Sequence, residues 1–221
     1  TMNVTVALVA PAVKILRVDR SLLCSGTLIG ASTVLTAAHC QNELSGTAVR
    51  VVGDVASYQN GVVTYREVET FGWLETMGPF DDNQYTRPSS TWQPDIAIVK
   101  LGESVTWPRA KLDTGLIGLG SEFTVAGFGI TRTNRNGDVR HVGFNTVTNG
   151  TPGFFEQRWR PELGGGVCKG DSGGPVLLRR PPWTAPGACV TGVIAYNIPG
   201  PTPHSPTLPE DCEVGAWHTR V

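Results

Sequence analysis

The sequence predicts an all-β fold assembled from many short strands. Glycine and proline are plentiful, at 27 and 16 of 221 residues, whereas charged residues reach only 17%. Short runs rich in β-branched residues recur along the whole chain, and none carries a sustained apolar stripe at helical spacing. Gly, Asn, Asp or Pro stands between most of these runs, where tight turns would fall. All-β chains of this length form sandwiches or barrels.

In chain order the expected strands of the first half are Val13–Val18 (VKILRV), Thr33–Thr36 (TVLT), Val49–Val52 (VRVV), Val62–Val68 (VVTYREV) and Ile96–Leu101 (IAIVKL). Those of the second half are Phe123–Ala126 (FTVA), His141–Val147 (HVGFNTV), Pro175–Leu178 (PVLL) and Val190–Tyr196 (VTGVIAY). Val, Ile and Thr suit these places because a branched Cβ packs well on a pleated, half-buried surface. Gly102–Leu116 (GESVTWPRAKLDTGL) lies near the middle, has turn residues and few β-branched ones, and is the expected connection between two halves. Three long loops are expected at Thr76–Pro94, Arg179–Ala188 and Asn197–Asp211, the last two proline-dense. Loops this long are functional or are flexible surface insertions.

Composition excludes several classes of protein. With 40% hydrophobic residues and a formal charge of −1, the chain is not a disordered tail. Balanced charge offers no electrostatic footprint for nucleic acid. No apolar run is long enough to span a bilayer, since the longest candidate, Val4–Val13, is broken by Thr5 and Pro11. The five cysteines, Cys24, Cys40, Cys168, Cys189 and Cys212, contain no C-x-x-C pair and are widely scattered. That suits long-range disulfides in an exported protein whose leader has been removed; a reduced protein with buried thiols is the alternative. An odd count leaves at least one thiol outside intrachain pairs.

Three segments carry chemistry: Thr36–Cys40 (TAAHC), Asp95–Val99 (DIAIV) and Gly170–Pro175 (GDSGGP). Glycines around Ser172 permit a tight bend that exposes its hydroxyl and turns successive N–H groups into one small space, as an anion site requires. A serine hydroxyl is a poor nucleophile near neutral pH and needs an adjacent base. Of the four histidines, His141 falls in an expected strand, His204 in a proline-rich loop and His218 near the end of the sequence. His39 follows two alanines and precedes a cysteine, so its imidazole is unobstructed and its loop can be tied down. An imidazole base in turn needs a group that fixes its tautomer, and Asp95 opens an apolar strand where an unpartnered carboxylate is expensive to bury. Each segment alone also admits a structural reading: a Gly-rich turn, a packing histidine, an exposed strand-starting aspartate.

Taken together, the order His39, Asp95, Ser172 with these flanks resembles the chymotrypsin/trypsin-like serine protease family. Cys24–Ile29 (CSGTLI) resembles the family's strand before the histidine, and Val125–Gly129 (VAGFG) looks like the segment opening its second barrel. Gly192–Asn197 (GVIAYN) is similar to the strand bordering the substrate, and Gly215–Val221 (GAWHTRV) to the closing strand of the specificity pocket. The resemblance implies two six-stranded antiparallel β-barrels with the active site in the cleft between them. Residues 1–108 would form the barrel carrying His39 and Asp95, and 109–221 the one carrying Ser172 and the pocket. It implies a secreted (extracellular or periplasmic) monomeric endopeptidase acting through an acyl-enzyme, with His39 as general base and acid and Asp95 orienting it. The N–H groups of Gly170 and Ser172 would form the oxyanion hole. No metal or organic cofactor is called for, and the implied partners are peptide or protein substrates and protein inhibitors. Implied disulfides are Cys24–Cys40 and Cys168–Cys212, leaving Cys189 as the free thiol; a Cys168–Cys189 bridge is the local alternative.

The same resemblance places Gly166, Lys169, Ala195, Tyr196, Asn197 and Gly215 along the substrate. Gly166 stands where a trypsin-like pocket carries an aspartate, so a preference for Arg or Lys is disfavoured and an uncharged P1 side chain is expected. Ala195 and Tyr196 replace the usual serine and tryptophan, and Asn197 replaces a glycine. Departures also occur around Asp171, the residue that in the family pairs with a new N-terminal amine. Thr1-Met2-Asn3-Val4 does not match the motif supplying that amine, and no C-terminal helix or calcium loop can be placed. Asp81-Asp82-Asn83 reads as a solvated loop before a cation site. Asn3-Val4-Thr5 and Asn149-Gly150-Thr151 match the N-glycosylation sequon. A catalytically silent or zymogen-like relative used as a binding module is the alternative function, and an esterase using the same residues is a third.

Overall fold

The computed structural model describes residues 9–44, 46–59, 62–76, 94–115, 117–131, 137, 139–151, 153–158, 166–178, 188–197 and 215–221. Of the expected long loops, nearly all of each lies outside these residues, as do Asn3, Asp81-Asp82-Asn83, His204 and Cys212. The described chain is almost entirely β. Its first sheet comprises β1 (Ala12–Leu16), β2 (Leu22–Gly30), β3 (Thr33–Thr36), β4 (Ala48–Gln59), β5 (Val62–Thr76) and β6 (Ala97–Leu101). These close into an antiparallel barrel in the order β1-β2-β3-β6-β5-β4. A 3-10 helix, Ala38–Glu43, follows β3.

The second sheet comprises β7 (Lys111–Leu112), β8 (Glu122–Gly127), β9 (His141–Thr146), β10 (Asn149–Gly150), β11 (Phe154–Arg158), β12 (Pro175–Leu178), β13 (Cys189–Asn197) and β14 (Gly215–Arg220). It runs β10-β11-β14-β13-β12-β8-β9, with β7 parallel to β13, and curls into a half-barrel among the described residues. Strand alternation explains the interiors. In β6, inward Ala97, Val99 and Leu101 are buried while Lys100 is exposed. In β8 every residue after Glu122 is buried, because this strand faces the second core on one side and the first barrel on the other.

Two apolar clusters result. One fills the first barrel and continues across to Ala126, Phe128, Leu177, Val190 and Val193, so the two sheets share packed surface. The other lies inside the second sheet around Phe123, Val125, Phe155, Val176 and Ile194. Within the expected connector, Val105 and Ala110 donate N–H bonds to Ala31, in the β2–β3 turn, and to Leu28 of β2, and Lys111 and Asp113 donate to Ala188 and Val190 beside and within β13. Among the described residues, no helix is long and apolar enough to cross a membrane.

Candidate active site

His39 and Asp95 meet because their strands are neighbours. Thr36, at the end of β3, pairs with Ala97 at the start of β6. His39 lies just beyond the first and Asp95 just before the second, at one end of the barrel. The 3-10 turn after β3 swings the histidine back over Asp95, which is fully buried. One carboxylate oxygen accepts the His39 backbone N–H at 2.8 Å, and the other sits 2.7 Å from Nδ1. Both lone-pair faces of a buried carboxylate are thereby engaged, and the imidazole is held with Nδ1 toward Asp95 and its other edge outward. The Cys24–Cys40 disulfide ties this turn to β2. Cys24, His39 and Cys40 bring three ligand-type atoms within 4.8 Å of one another, but the two sulfurs are bonded to each other and offer no thiolate to a metal.

The loop that carries Ser172 packs from the second sheet against the strands leading to this pair. It lies directly against β2 and β3, and the contact is made at Gly173. That residue has φ +81°, and a Cβ there would collide with Thr36 Oγ1 and Ser25 O and lie 2.9 Å from the Ala37 nitrogen. Only glycine allows this approach, which brings Ser172 beside the segment leading to His39. The Ser172 C=O accepts the Ser25 N–H at 2.8 Å, and the Gly170 C=O accepts the Ser25 hydroxyl at 2.8 Å. With both carbonyls turned into the protein, the N–H groups of Gly170 and Ser172 donate to nothing among the described residues.

Asp171 turns its carboxylate toward the end of β8. Its carboxylate accepts N–H bonds from Gly129 at 2.8 Å and Cys168 at 2.9 Å. It rests against Gly127 and Gly129, where a Cβ on either would overlap it. Burial pushes the Asp171 carboxyl up to about 6, against the two backbone donors, which pull it down. No cationic side chain among the described residues pairs with it.

The remaining expected site residues fall on the serine loop, β13 and β14. Gly166 is half-buried at the start of the serine loop and Lys169 is exposed within it. Ala195 is buried in β13, whose last residues, Tyr196 and Asn197, pair with Trp217 and Ala216 of β14. Gly215 begins β14. The side chains of Tyr196 and Asn197 lie outside the described residues, and no strand pairing ties Gly166 to Gly215. Cys189 is a free thiol, which excludes a Cys168–Cys189 bridge. Cys168 is disulfide-bonded, and its expected partner Cys212 lies outside the described residues. Asn149 of the second sequon is exposed in β10. Sequence reasoning missed the parts played by Ser25, Thr36, Gly127 and Gly129. The one local signal for Ser25 was a hydroxyl beside a disulfide cysteine in a mainly apolar strand.

Comparison with known proteins agrees with this architecture. A family model described as Trypsin matches residues 7–208. Trypsin alpha-4 of Lucilia cuprina is 26% identical over 191 residues, covering 79% of this chain and 67% of that protein. Melanization protease 1 of Drosophila melanogaster is 29% identical, covering 90% of this chain and 55% of its own length. Phenoloxidase-activating enzyme 1 of Spodoptera litura is 27% identical, covering 79% of this chain. The chain spans about half the length of the last two, at 55% and 52%. A family match over nearly the whole sequence, on a closed β-barrel followed by a second curled sheet, leads to one conclusion: the chain belongs to the trypsin family of serine proteases.

Proposed function

We propose that this chain is a secreted serine endopeptidase that cleaves peptide bonds through His39, Asp95 and Ser172. The observation that carries the reading is the buried Asp95 gripping His39 at Nδ1, with the Ser172 loop packed against the same strand end. His39 removes the Ser172 proton as the hydroxyl attacks a peptide carbonyl, and then protonates the leaving amine. Asp95 keeps the imidazole oriented and stabilises its charged form. The carbonyl oxygen, negative in the tetrahedral intermediate, is received by the N–H groups of Gly170 and Ser172, which have no acceptor among the described residues. One such donor is worth roughly 3 kcal/mol of barrier. Water then releases the acyl group. The two working units are residues 1–108 and 109–221. The disulfides support action outside the reducing cytosol.

Several relatives are named trypsins, yet Gly166 supplies no acid to hold a basic side chain. Cleavage after uncharged residues therefore follows from this reading. Profiling a peptide library with the wild type and Ser172→Ala tests both parts. The expected result is cleavage after uncharged P1 residues, lowered by several powers of ten in the variant without unfolding. Predominant cleavage after Arg or Lys refutes the specificity, and near-normal activity in Ser172→Ala refutes the nucleophile. A chain that folds yet cleaves nothing would instead be a silent, zymogen-like relative, a reading favoured by the lack of a cationic partner for Asp171 among the described residues.

A further inference from the structure

Ser25 is fully buried in β2, beside the disulfide cysteine Cys24. Every polar group it has is committed. Its N–H donates to the Ser172 C=O at 2.8 Å, and its C=O accepts the Thr36 hydroxyl at 2.9 Å. Its own hydroxyl donates to the Gly170 C=O at 2.8 Å and accepts the Phe128 N–H at 2.9 Å. One first-barrel side chain thus joins the serine loop to the segment after β8. That segment continues the ladder: Gly129 N–H donates to the Asp171 carboxylate, and Ile130 N–H to the Lys169 C=O.

We propose that Ser25 is a positioning residue for the oxyanion site, its hydroxyl fixing the Gly170–Asp171 peptide so that the N–H groups of Gly170 and Ser172 face the substrate. The inference rests on the endopeptidase reading above and deepens it. A loop with glycines at φ +95° (Gly170) and +81° (Gly173) has wide conformational freedom; the N–H of the Gly170–Asp171 peptide is held within it by the Cys168 C=O at 3.0 Å, and the Ser25 hydroxyl holds the carbonyl end. Two carbonyls adjoin the two N–H groups that matter, and both are turned away by Ser25. Released from the hydroxyl, the Gly170 carbonyl can rotate toward the space those N–H groups face. There its negative end would oppose a developing oxyanion, which raises the barrier in the transition state while leaving substrate contacts elsewhere intact.

The test compares wild type, Ser25→Ala and Ser25→Cys on a peptide amide substrate, with active sites counted by titration. Affinity for a peptide aldehyde, which forms a tetrahedral adduct with the nucleophile, is measured in parallel. The expected result is a fall in kcat per titrated site of about tenfold or more, short of the 10²–10³-fold seen on deleting a donor outright. KM stays within about twofold and aldehyde affinity falls with kcat. A purely structural role would lower the melting temperature and leave kcat per titrated site unchanged, and that outcome overturns the proposal. Ser25→Cys keeps the side-chain volume with a weak donor, so it carries the comparison where Ala fails to fold. A wild type that neither cleaves peptide nor binds aldehyde refutes the endopeptidase reading itself; an active wild type with unaffected variants refutes the role of Ser25 alone.

Discussion

His218 lies inside the second core with its ring 5.6 Å from Phe123 and 5.0 Å from Phe155, and neither ring nitrogen has a hydrogen-bond partner among the described residues. Burial drives its pKa down to about 3 from 6.5. Between those values the unfolded chain binds a proton that the folded chain does not, so His218 makes the fold less stable as pH falls below about 6.5. Asp171 acts in the opposite sense. Its folded value of about 6 exceeds the unfolded 3.8, so the folded chain holds the extra proton and loses that advantage as pH rises from about 4 to 6. The two effects oppose each other over that interval, and below it His218 acts alone. His218→Phe should therefore gain on the wild type as the solution is acidified, by up to about 1.4 kcal/mol per pH unit. Thermal melts of both proteins from pH 7 to 4 read this as a gap of several degrees that widens toward acid. A gap that does not change with pH contradicts the account of a neutral, unpartnered imidazole.

At the scale of elements, the site is the meeting of a strand end, a 3-10 turn and a glycine-bent loop, and these differed in how readable they were. The candidate segments could be picked out because their residues are contiguous: a serine between glycines and a carboxylate ahead of an apolar strand need no distant information. Most strands were legible too, with boundaries extended by pairing, as when Val62–Val68 became part of the 15-residue β5. β11 was not read as a strand, because Glu156 and Gln157 look like loop residues and are buried only by their neighbours in the sheet. The Ser25 network was invisible for a physical reason as well: its hydrogen bonds join residues 145 and 103 positions apart. The same holds for Gly129, whose Cα is the seat of the Asp171 carboxylate. A Cβ there would come within 2.5–2.7 Å of all three carboxylate atoms. Gly129→Ala is expected to dislodge Asp171 and reduce peptide hydrolysis at least tenfold, comparable to losing part of the oxyanion site, while circular dichroism stays native. Unchanged hydrolysis would mean that Asp171 does not set the shape of the serine loop.

Across the whole molecule, covalent and packing links converge on the line where the two sheets touch. One core cluster runs from the first barrel into β12 and β13, and the connector hydrogen-bonds to both sheets. The Cys24–Cys40 bridge spans 16 residues at that line, a loop for which loss of the bridge costs about 3 kcal/mol. With Cys168 also bridged and Cys189 free, alkylation of the unfolded but unreduced chain should add one group, on Cys189. Three added groups would contradict the second disulfide. The convergence has a chemical purpose only if His39, from the first sheet, activates Ser172, from the second. That claim is tested most directly by treating the folded chain with a fluorophosphonate and locating the adduct by mass spectrometry. One adduct per chain on Ser172 is predicted, absent in Ser172→Ala and formed about 10²-fold or more slowly in His39→Ala. A folded chain that takes no adduct, or takes it at another residue, would contradict the account.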